Sequence, residues 1–388
     1  MMVNANRTVS RRRFLSGGAA FALAAGSGTL LGSSTAIGQA SLGQGWMVNR
    51  GDTYEISQLT GPESVNETHT RWNVHGTDLG HMFEHEGRLY MVFGDTFGYP
   101  GKPPEFGEDW RSNVMAWAGD ANPEDGISFD GMITDRPGHA KELIPQEQVP
   151  GEEVTIIPTY GVSTGSRMFL HYMAVREWGP PGQWWLNRSG LAYSDDDGQT
   201  WELSDAVWGP ESNFGQVAIT EVGKYLYLFG IPGGRFGGAK LARVKSKHIL
   251  DMKRYEYWNG RRWTGREGAA ATIVPAPVGE LSVQWNSYYR HYRQWIMTCL
   301  NEKKAAIVLR AADCLTGPWG GEQTVVTAQE VPQLYAPYIP PRWNDGPGIY
   351  FTLSKFDVYN VFWWRTSLEG GSVGEGPERC VSSRKERA

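Results

Sequence analysis

Two aspartates that frame one predicted hairpin have the residue type and spacing that best suit catalysis. Asp78 precedes a predicted strand at 79–84, and Asp95 follows Gly94 just after the strand that returns from Arg88. Because a hairpin brings the ends of its strands back to one edge, the two carboxyl groups are expected on the same rim. Glycoside hydrolysis needs two such groups, one to protonate the leaving oxygen and one to attack the sugar or activate water. Mutual repulsion would keep one of them protonated near neutral pH.

A later segment repeats the frame of this hairpin without its acids. In an alignment of residues 78–95 with residues 213–231, the paired glycines and apolar positions coincide, whereas Asp78 falls on Asn213 and Asp95 on Ile231. The scaffold therefore does not itself require the acids, which favours a catalytic role. The alternative is that each aspartate caps a turn, as aspartate commonly does.

Other polar and aromatic residues are expected near the same rim. Glu280 opens a further predicted inner strand and is a candidate third acid, with a salt-bridged rim residue as the alternative. Arg235 lies between two glycine pairs that free the backbone to project its side chain. The full set of expected sugar-binding residues is Arg111, Ser112, Asn113, Gln216, Arg235, Trp285, Asn286 and Tyr335. No zinc, Walker or nucleophile-elbow pattern occurs in the sequence, so we expect no metal or cofactor in the chemistry.

The elements that must position these residues form a repeat. A pair of alternating strands recurs five times, beginning near residues 88, 167, 224, 293 and 348, and each pair follows a less polar segment. Those segments, at 79–84, 155–160, 216–220, 281–285 and 334–339, are expected to be innermost strands. Blades of four strands packed around an axis cover one another's faces, and 17 Trp, 17 Tyr and 14 Phe supply flat apolar area between them. The sequence therefore predicts an all-β, five-bladed β-propeller, and the SDDDGQTW segment at 194–201 fits the turn of sialidase-like propellers.

The ends of the chain predict export. Residues 10–15, SRRRFL, match a twin-arginine signal, and an apolar run and a small-residue cleavage site follow. We expect a signal peptide at 1–40, one catalytic propeller at 41–368 and a disordered tail at 369–388. The protein would be secreted or cell-wall associated and monomeric, without a membrane anchor after cleavage.

The charge balance indicates an uncharged partner. Without residues 1–40 the chain has 33 basic and 42 acidic residues, a formal charge of −9 against −5 for the whole chain. No run of Lys or Arg offers a face for a phosphate backbone, so nucleic acid is excluded as a partner. A neutral polysaccharide fits better. The sequence does not decide whether a structural calcium ion lies on the propeller axis.

Several motifs together resemble a known family. These are WNVHGTDLGHMF, RLYMVFGDTFG, RSNVMAW, NFGQ, PGGRFGG with KLARV, GELSVQWN and LTGPW, in matching order from about Thr70 to Leu368. The chain resembles the bacterial family once known only as a domain of unknown function and now known to contain endo-D-arabinanases. The resemblance implies a five-bladed propeller that cleaves internal α-D-arabinofuranosyl linkages of mycobacterial arabinogalactan and lipoarabinomannan. It also implies that Asp78 and Asp95 are the catalytic pair.

Two other functions are consistent with a propeller. A non-catalytic cell-wall lectin would need the aromatic residues and Arg235 but not the acids. A sialidase-like hydrolase is the weakest alternative, because the sequence has one evident Asp-box and no three arginines placed to hold a carboxylate sugar.

Overall fold

The computed structural model describes residues 46–119, 122–288 and 294–370. The predicted signal peptide at 1–40 lies outside the described residues, and so does the predicted tail at 369–388 except for Glu369 and Gly370, which end the last strand. Within the described ranges, no helix has the length and apolar character needed to cross a membrane.

Strands dominate the fold, and the first blade follows one short helix. In chain order the elements are β1 (Trp46–Gln58), helix α1 (Thr68–Trp72), β2 (Leu79–His85), β3 (Arg88–Phe93), β4 (Pro100–Lys102), β5 (Glu105–Gly107), β6 (Val114–Ala118), β7 (Gly131–Met132), β8 (Thr134–Arg136) and β9 (His139–Ala140). The first blade is the antiparallel sheet β2-β3-β6-β7. The small hairpins β4–β5 and β8–β9 stand outside it, in the connections on either side of β6 and β7.

The next three blades repeat this order from inside to outside. They contain β10 (Thr155–Thr164), β11 (Arg167–Trp178), β12 (Trp184–Ser194), β13 (Glu202–Trp208), β14 (Gln216–Val222), β15 (Tyr225–Ile231), β16 (Ala239–Lys245), β17 (Glu256–Trp258), β18 (Trp263–Thr264), β19 (Thr272–Val274), β20 (Leu281–Asn286), β21 (Gln294–Asn301), β22 (Ala306–Ala312) and β23 (Gln323–Thr327). The sheets are β10-β11-β12-β13, then β14-β15-β16-β17-β18 with β19 beside β16, then β20-β21-β22-β23. Three 3-10 helices, Ser246–His248, Met252–Arg254 and Glu267–Ala269, lie in the connections of the third blade.

The fifth blade joins the two ends of the described chain. Its sheet has the order β1-β26-β25-β24, with β24 at Leu334–Tyr335, β25 at Gly348–Lys355 and β26 at Asn360–Gly370. The three inner strands of this blade thus come from the C-terminal part of the described chain, and the N-terminal strand β1 forms its outer edge. The sequence did not predict this strand, and it closes the five-bladed ring.

The predicted propeller is confirmed, with one inner strand shorter than expected. Residues 334–339 were predicted as a strand, but β24 ends at Tyr335. Ala336 takes a left-handed backbone at φ 55°, and the following residue is Pro337, which has no N–H to donate to a ladder. The innermost element of the fifth blade is therefore a short strand followed by an irregular segment.

Aromatic rings pack between the blades as the composition predicted. Trp208 of the second blade meets Tyr255 of the third edge-on at 5.3 Å, and Phe229 of the third meets Trp319 of the fourth at 5.7 Å. Trp208 and Phe229 are fully buried. These rings fill the wedges between twisted sheets and hold adjacent blades at fixed angles.

Candidate active site

The starts of all five inner strands meet in one pocket on the propeller axis. The pocket is lined at these starts by Asp78 and Leu79, Ile157 and Thr159, Gln216 and Val217, Glu280 and Leu281, and Leu334 and Tyr335. The same face carries the loops that connect the second and third strands of each blade. Residues far apart in the sequence thus converge because every inner strand runs in the same direction along the axis.

Backbone geometry directs Asp78 into this pocket. Leu79 has a left-handed backbone at φ 70° and Gly80 follows at φ 80°. The pairing of β2 with β3 shifts register between Leu79 and His81, which is a bulge of the kind that re-aims a neighbouring side chain. A non-glycine residue in the left-handed region costs about 1 kcal/mol or more, and such strain collects at functional sites.

Glycine at position 94 makes room for the Asp78 carboxyl group. A Cβ atom built on Gly94 would overlap Asp78 Oδ1. On the other side, the Tyr335 hydroxyl donates to Asp78 Oδ2 at 2.9 Å. Asp78 is therefore held between the backbone of β3 and a buried tyrosine of the fifth blade.

Asp95 lines the same pocket and is held through one of its two oxygens. Trp110 Nε1 donates to Asp95 Oδ1 at 2.8 Å, and Thr155 Oγ1 donates to the same oxygen at 2.6 Å. Trp110 belongs to the connection between β3 and β6, and Thr155 opens the second blade. The two donors fix the carboxyl plane and leave Oδ2 for a ligand.

Both acids keep their protons to an unusually high pH. Burial, followed by the charge of Asp95, raises the pKa of Asp78 to about 8. Burial raises the pKa of Asp95 to about 7, while the hydrogen bonds from Thr155 and Trp110 act in the opposite direction. Near neutral pH, Asp78 is thus the better proton donor of the two and Asp95 is the more readily ionised.

An ion pair between the buried Glu280 and the partly buried Arg235 forms the opposite wall. Arg235 donates from Nε and Nη2 to Glu280 Oε1, at 2.9 Å and 2.8 Å. The Arg235 loop is fixed by its backbone N–H, which donates to the Gly182 carbonyl at 2.9 Å, and by Gln216 Nε2, which donates to the Gly234 carbonyl at 2.9 Å. The guanidinium also lies 4.9 Å from the centre of the Tyr335 ring, a cation–π contact.

This fold and pocket place the chain among known proteins. A family model described as a domain of unknown function, DUF4185, matches residues 63–365. The chain belongs to the DUF4185 family. Among curated proteins, none matches its sequence.

Solved structures resemble this DUF4185 protein in fold. One from Bacteroides ovatus, provisionally named a hydrolase, has a TM-score of 0.56 and 12% identity, and the match covers 77% of this chain and 87% of that chain. A family 117 glycoside hydrolase from Zobellia galactanivorans has a TM-score of 0.49 and 10% identity, covering 86% and 96%. A GH43_1 enzyme from Xanthomonas citri complexed with xylose has a TM-score of 0.47 and 12% identity, covering 84% and 96%. At 12% identity, the likeness to the Bacteroides ovatus protein shows a shared fold alone.

Six of the predicted site residues of the DUF4185 protein line the pocket. They are Asp78, Asp95, Gln216, Arg235, Glu280 and Tyr335. The other five lie elsewhere.

Three of those five, Arg111, Ser112 and Asn113, are buried behind Asp95 and do not line the pocket. Arg111 donates to the backbone carbonyls of Asn73 and Ala140, at 2.7 Å and 3.0 Å, instead of facing a sugar.

The last two, Trp285 and Asn286, lie on the far face of the propeller. They end strand β20, whose first residue Leu281 adjoins Glu280 at the pocket. At about 3.3 Å per residue, Trp285 is roughly 16 Å from Glu280 along the strand. Trp285 is exposed and its ring packs against that of Trp295, with ring centres 5.1 Å apart.

Several pocket residues were not predicted from the sequence. Trp178 and Trp184 flank the 179–183 connection of the second blade. Tyr359 stands beside Asp78 and Asp95, Tyr338 lies near Asp78 and Glu280, and Glu302 lies near Arg235. The glycine and proline residues of the 179–183 segment could have marked a loop on the pocket face. Tyr359 ends the short turn between β25 and β26, and its position at the pocket is established only when the fifth blade closes the ring.

One cluster outside the pocket has metal-ligand chemistry. His85 and Glu86 at the β2–β3 turn lie beside Asp197, with candidate ligand atoms within 4.8 Å of one another. They are at the end of β2 remote from Asp78. His85 Nε2 lies 3.2 Å from Asp197 Oδ1, so this cluster already forms a hydrogen bond between two blades.

Proposed function

We propose that the protein is a glycoside hydrolase whose catalytic pair is Asp78 and Asp95. The observation that carries the proposal is that two carboxyl groups with raised pKa values, the buried Asp95 and the partly buried Asp78, share one pocket at the mouth of the propeller axis. Structural ion pairs also perturb pKa values, but within the described part of the chain neither acid is hydrogen-bonded or ion-paired to a basic side chain. The arrangement supplies a proton donor and an anion at one site.

The two acids divide the roles by their surroundings. Asp78 has the higher pKa and is the proposed general acid, which protonates the glycosidic oxygen as the bond to the sugar breaks. Asp95 ionises more readily and is held by two donors on one oxygen, so its other oxygen is the proposed nucleophile or general base. Glu280 is paired with Arg235, and this pair is proposed to hold and orient the sugar beside the acids.

The proposed substrate is an uncharged glycan. Among the described residues that line the pocket, four are acidic and one is basic, and that one, Arg235, is already paired with Glu280. Such a pocket disfavours sugars that carry carboxylate or sulfate groups. Trp178, which is partly exposed at the pocket, offers a ring face on which a neutral sugar ring can stack.

Within neutral glycans, we propose internal α-D-arabinofuranosyl linkages of mycobacterial-type arabinan. The support is the series of motifs that resembles the endo-D-arabinanase family, together with the position of the TDLG and FGDTFG segments at this pocket. Export by the twin-arginine pathway, proposed from residues 10–15, would bring the enzyme to the cell wall or the medium as a monomer.

Product sizing after incubation with purified mycobacterial arabinogalactan tests this function. We expect a ladder of arabino-oligosaccharides, because an internal cut leaves fragments of many lengths. Free arabinose alone would contradict the endo assignment. Binding to arabinan without release of reducing ends would contradict the enzymatic function and favour a lectin.

A further inference from the structure

A chain of two hydroxyl groups leads from Asp95 to an acid outside the pocket. Thr155 Oγ1 lies 2.6 Å from Asp95 Oδ1 and 3.0 Å from Ser112 Oγ. The Ser112 backbone N–H donates to Glu142 Oε1 at 2.8 Å, and the Ser112 hydroxyl also hydrogen-bonds this carboxylate. Ser112 and Thr155 are fully buried, whereas Glu142 is half-buried and does not line the pocket.

The number of hydroxyl hydrogens limits how these hydrogen bonds can be arranged. A threonine hydroxyl carries one hydrogen, so Asp95 Oδ1 and Ser112 Oγ compete for that of Thr155. When Ser112 donates to Glu142, its oxygen accepts from Thr155 and from the Ile156 backbone N–H, the latter at 3.3 Å. When Glu142 is neutral, it attracts the Ser112 hydrogen less strongly and the Ser112 oxygen is a weaker acceptor, so the Thr155 hydrogen stays on Asp95 and stabilises the carboxylate form. Because an ionised carboxylate is the stronger acceptor, the charge on Glu142 decides between the two arrangements.

The charge of Glu142 affects the pKa of Asp95 in the same direction as the hydrogen-bond arrangement does. Asp95 faces Asp78, Glu142 and the Tyr359 hydroxyl, and the charge of Glu142 raises the pKa of Asp95 after the larger effect of burial. Burial likewise raises the pKa of Glu142, against the Ser112 hydrogen bonds and the charge of Arg111. Arg111 is itself paired with Asp109 at 3.3 Å and is influenced by Asp135 and Arg136.

We propose that Glu142 is a positioning residue that controls the ionisation of Asp95 through the hydroxyl groups of Ser112 and Thr155. Ionised Glu142 attracts the Ser112 hydrogen, makes the Ser112 oxygen a stronger acceptor for Thr155 and so weakens the bond that stabilises the Asp95 carboxylate. Glu142 thereby keeps Asp95 from ionising too early as the pH rises. The effect of Glu142 on the ionisation of Asp95 does not depend on the proposed function. Its effect on the rate of hydrolysis does, because that effect requires the catalytic role proposed for Asp95.

The test is a pH titration of the Asp95 carboxyl carbon by 13C NMR in the full chain labelled at aspartate, with Asp95→Asn to assign the signal. We expect Glu142→Gln to lower the pKa of Asp95 by about 1 unit, since it removes a nearby charge and a strong acceptor. In a Ser112→Ala background, the same change should have less than half of that effect, because the hydroxyl chain is already broken. Glu147→Gln, at an exposed glutamate five positions away, is the matched control and should leave the titration unchanged.

An unchanged Asp95 titration in Glu142→Gln would overturn the proposal. So would an equal shift with and without Ser112, because that result would show a charge effect through space alone. If Ser112→Ala does not fold, Thr155→Val breaks the same chain one step nearer to Asp95 and should also suppress the effect of Glu142→Gln.

The NMR titration is independent of hydrolysis, so it remains decisive even if the unmodified protein releases no product from arabinan. In an active enzyme, the acidic limb of the pH profile of kcat/KM should move in Glu142→Gln to lower pH by about the same amount, since Asp95 must be ionised. A merely structural role for Glu142 would lower the rate at every pH without moving the limb.

Discussion

At the scale of single residues, Gly94 controls how close Asp78 comes to β3. A Cβ atom there would overlap Asp78 Oδ1 and lie 3.1 Å from Leu79 Cδ1. We expect Gly94→Ala to displace the Asp78 carboxyl and to lower arabinan hydrolysis by about 10²-fold, because a misplacement of about 1 Å has that effect on positioned groups. Gly209→Ala, where an added Cβ meets no atom within 4 Å, is the control. The measurement is the rate at which reducing ends are released, with melting temperatures measured to show that the variants are as stable as the parent protein. Parental activity in Gly94→Ala would contradict the role given to Gly94.

Ionisation of Asp78 works against the folded state. Burial raises its folded pKa from 3.8 to about 8, so the unfolded chain releases the proton first as pH rises. The folded state is therefore penalised progressively from about pH 4 up to about pH 8. We expect Asp78→Asn to raise the melting temperature at pH 8 by at least about 2 °C more than at pH 4, measured by calorimetry. An equal change at the two pH values would show that Asp78 titrates normally.

The pocket residues divide into those that sequence could predict and those that it could not. Asp78 and Asp95 could be found because residues 213–231 repeat their hairpin without the acids, which shows that the hairpin itself does not require them. Arg111 and Asn113 have side chains suited to sugar hydroxyls, but both serve buried backbone carbonyls, a demand that a single sequence does not reveal. Tyr359 and Trp184 reach the pocket from the fifth and second blades, which only the closed ring brings together.

At the scale of elements, the hairpin turn at 194–201 is a fold device on the far face. Asp196 accepts hydrogen bonds from the Ser194 hydroxyl at 2.8 Å and from the Thr200 N–H and hydroxyl at 2.8 Å and 2.6 Å. The turn stands at the end of β12 opposite the 179–183 connection that lines the pocket. Its contribution should therefore be to stability and not to chemistry.

Asp196→Ala tests this separation. We expect a loss of about 1 to 2 kcal/mol in the free energy of unfolding, since one side chain supplies three bonds in a turn, with kcat unchanged at a temperature where the variant stays folded. Asp205→Ala, at an exposed position of the next strand, provides the reference. Denaturant titration and initial rates are the measurements, and a fall in kcat without loss of stability would contradict the assignment.

Strand length explains why Trp285 and Asn286 lie away from the acids. Glu280 and Trp285 bracket one inner strand, and an inner strand runs through the propeller from one face to the other. The sequence located the strand correctly, but residues at both of its ends were assigned to the same rim. For the same reason, residues at the start of inner strands are the better candidates for this pocket.

At the scale of the whole molecule, closure depends on β1. This strand pairs with β26 along most of its length, and Asp52 and Glu55 add ion pairs to Arg365 and Lys355, each at 2.6 Å. The sequence predicted the repeats but not this strand, because its pairing partner lies some 300 residues away and its own pattern carries no repeat motif. Without it, β26 would be an open sheet edge.

Deletion of β1 should therefore destabilise the ring. Compared with a chain that begins at residue 46, a chain that begins at residue 60 is expected to melt at least about 10 °C lower or to fail to fold, since the fifth blade loses its outer strand. Circular dichroism melting measures this. Equal melting temperatures would show that the ring closes without β1.

The central claim is that Asp78 and Asp95 together carry out glycoside hydrolysis. Its most direct test is the rate at which Asp78→Asn and Asp95→Asn release oligosaccharides from arabinogalactan, beside Asp205→Asn as an exposed control. We predict that each of the first two variants folds and loses about 10²- to 10⁴-fold in rate, the usual contribution of a positioned acid or base, while the control retains the parental rate. Folded Asp78→Asn and Asp95→Asn proteins that both release oligosaccharides at the parental rate would contradict it.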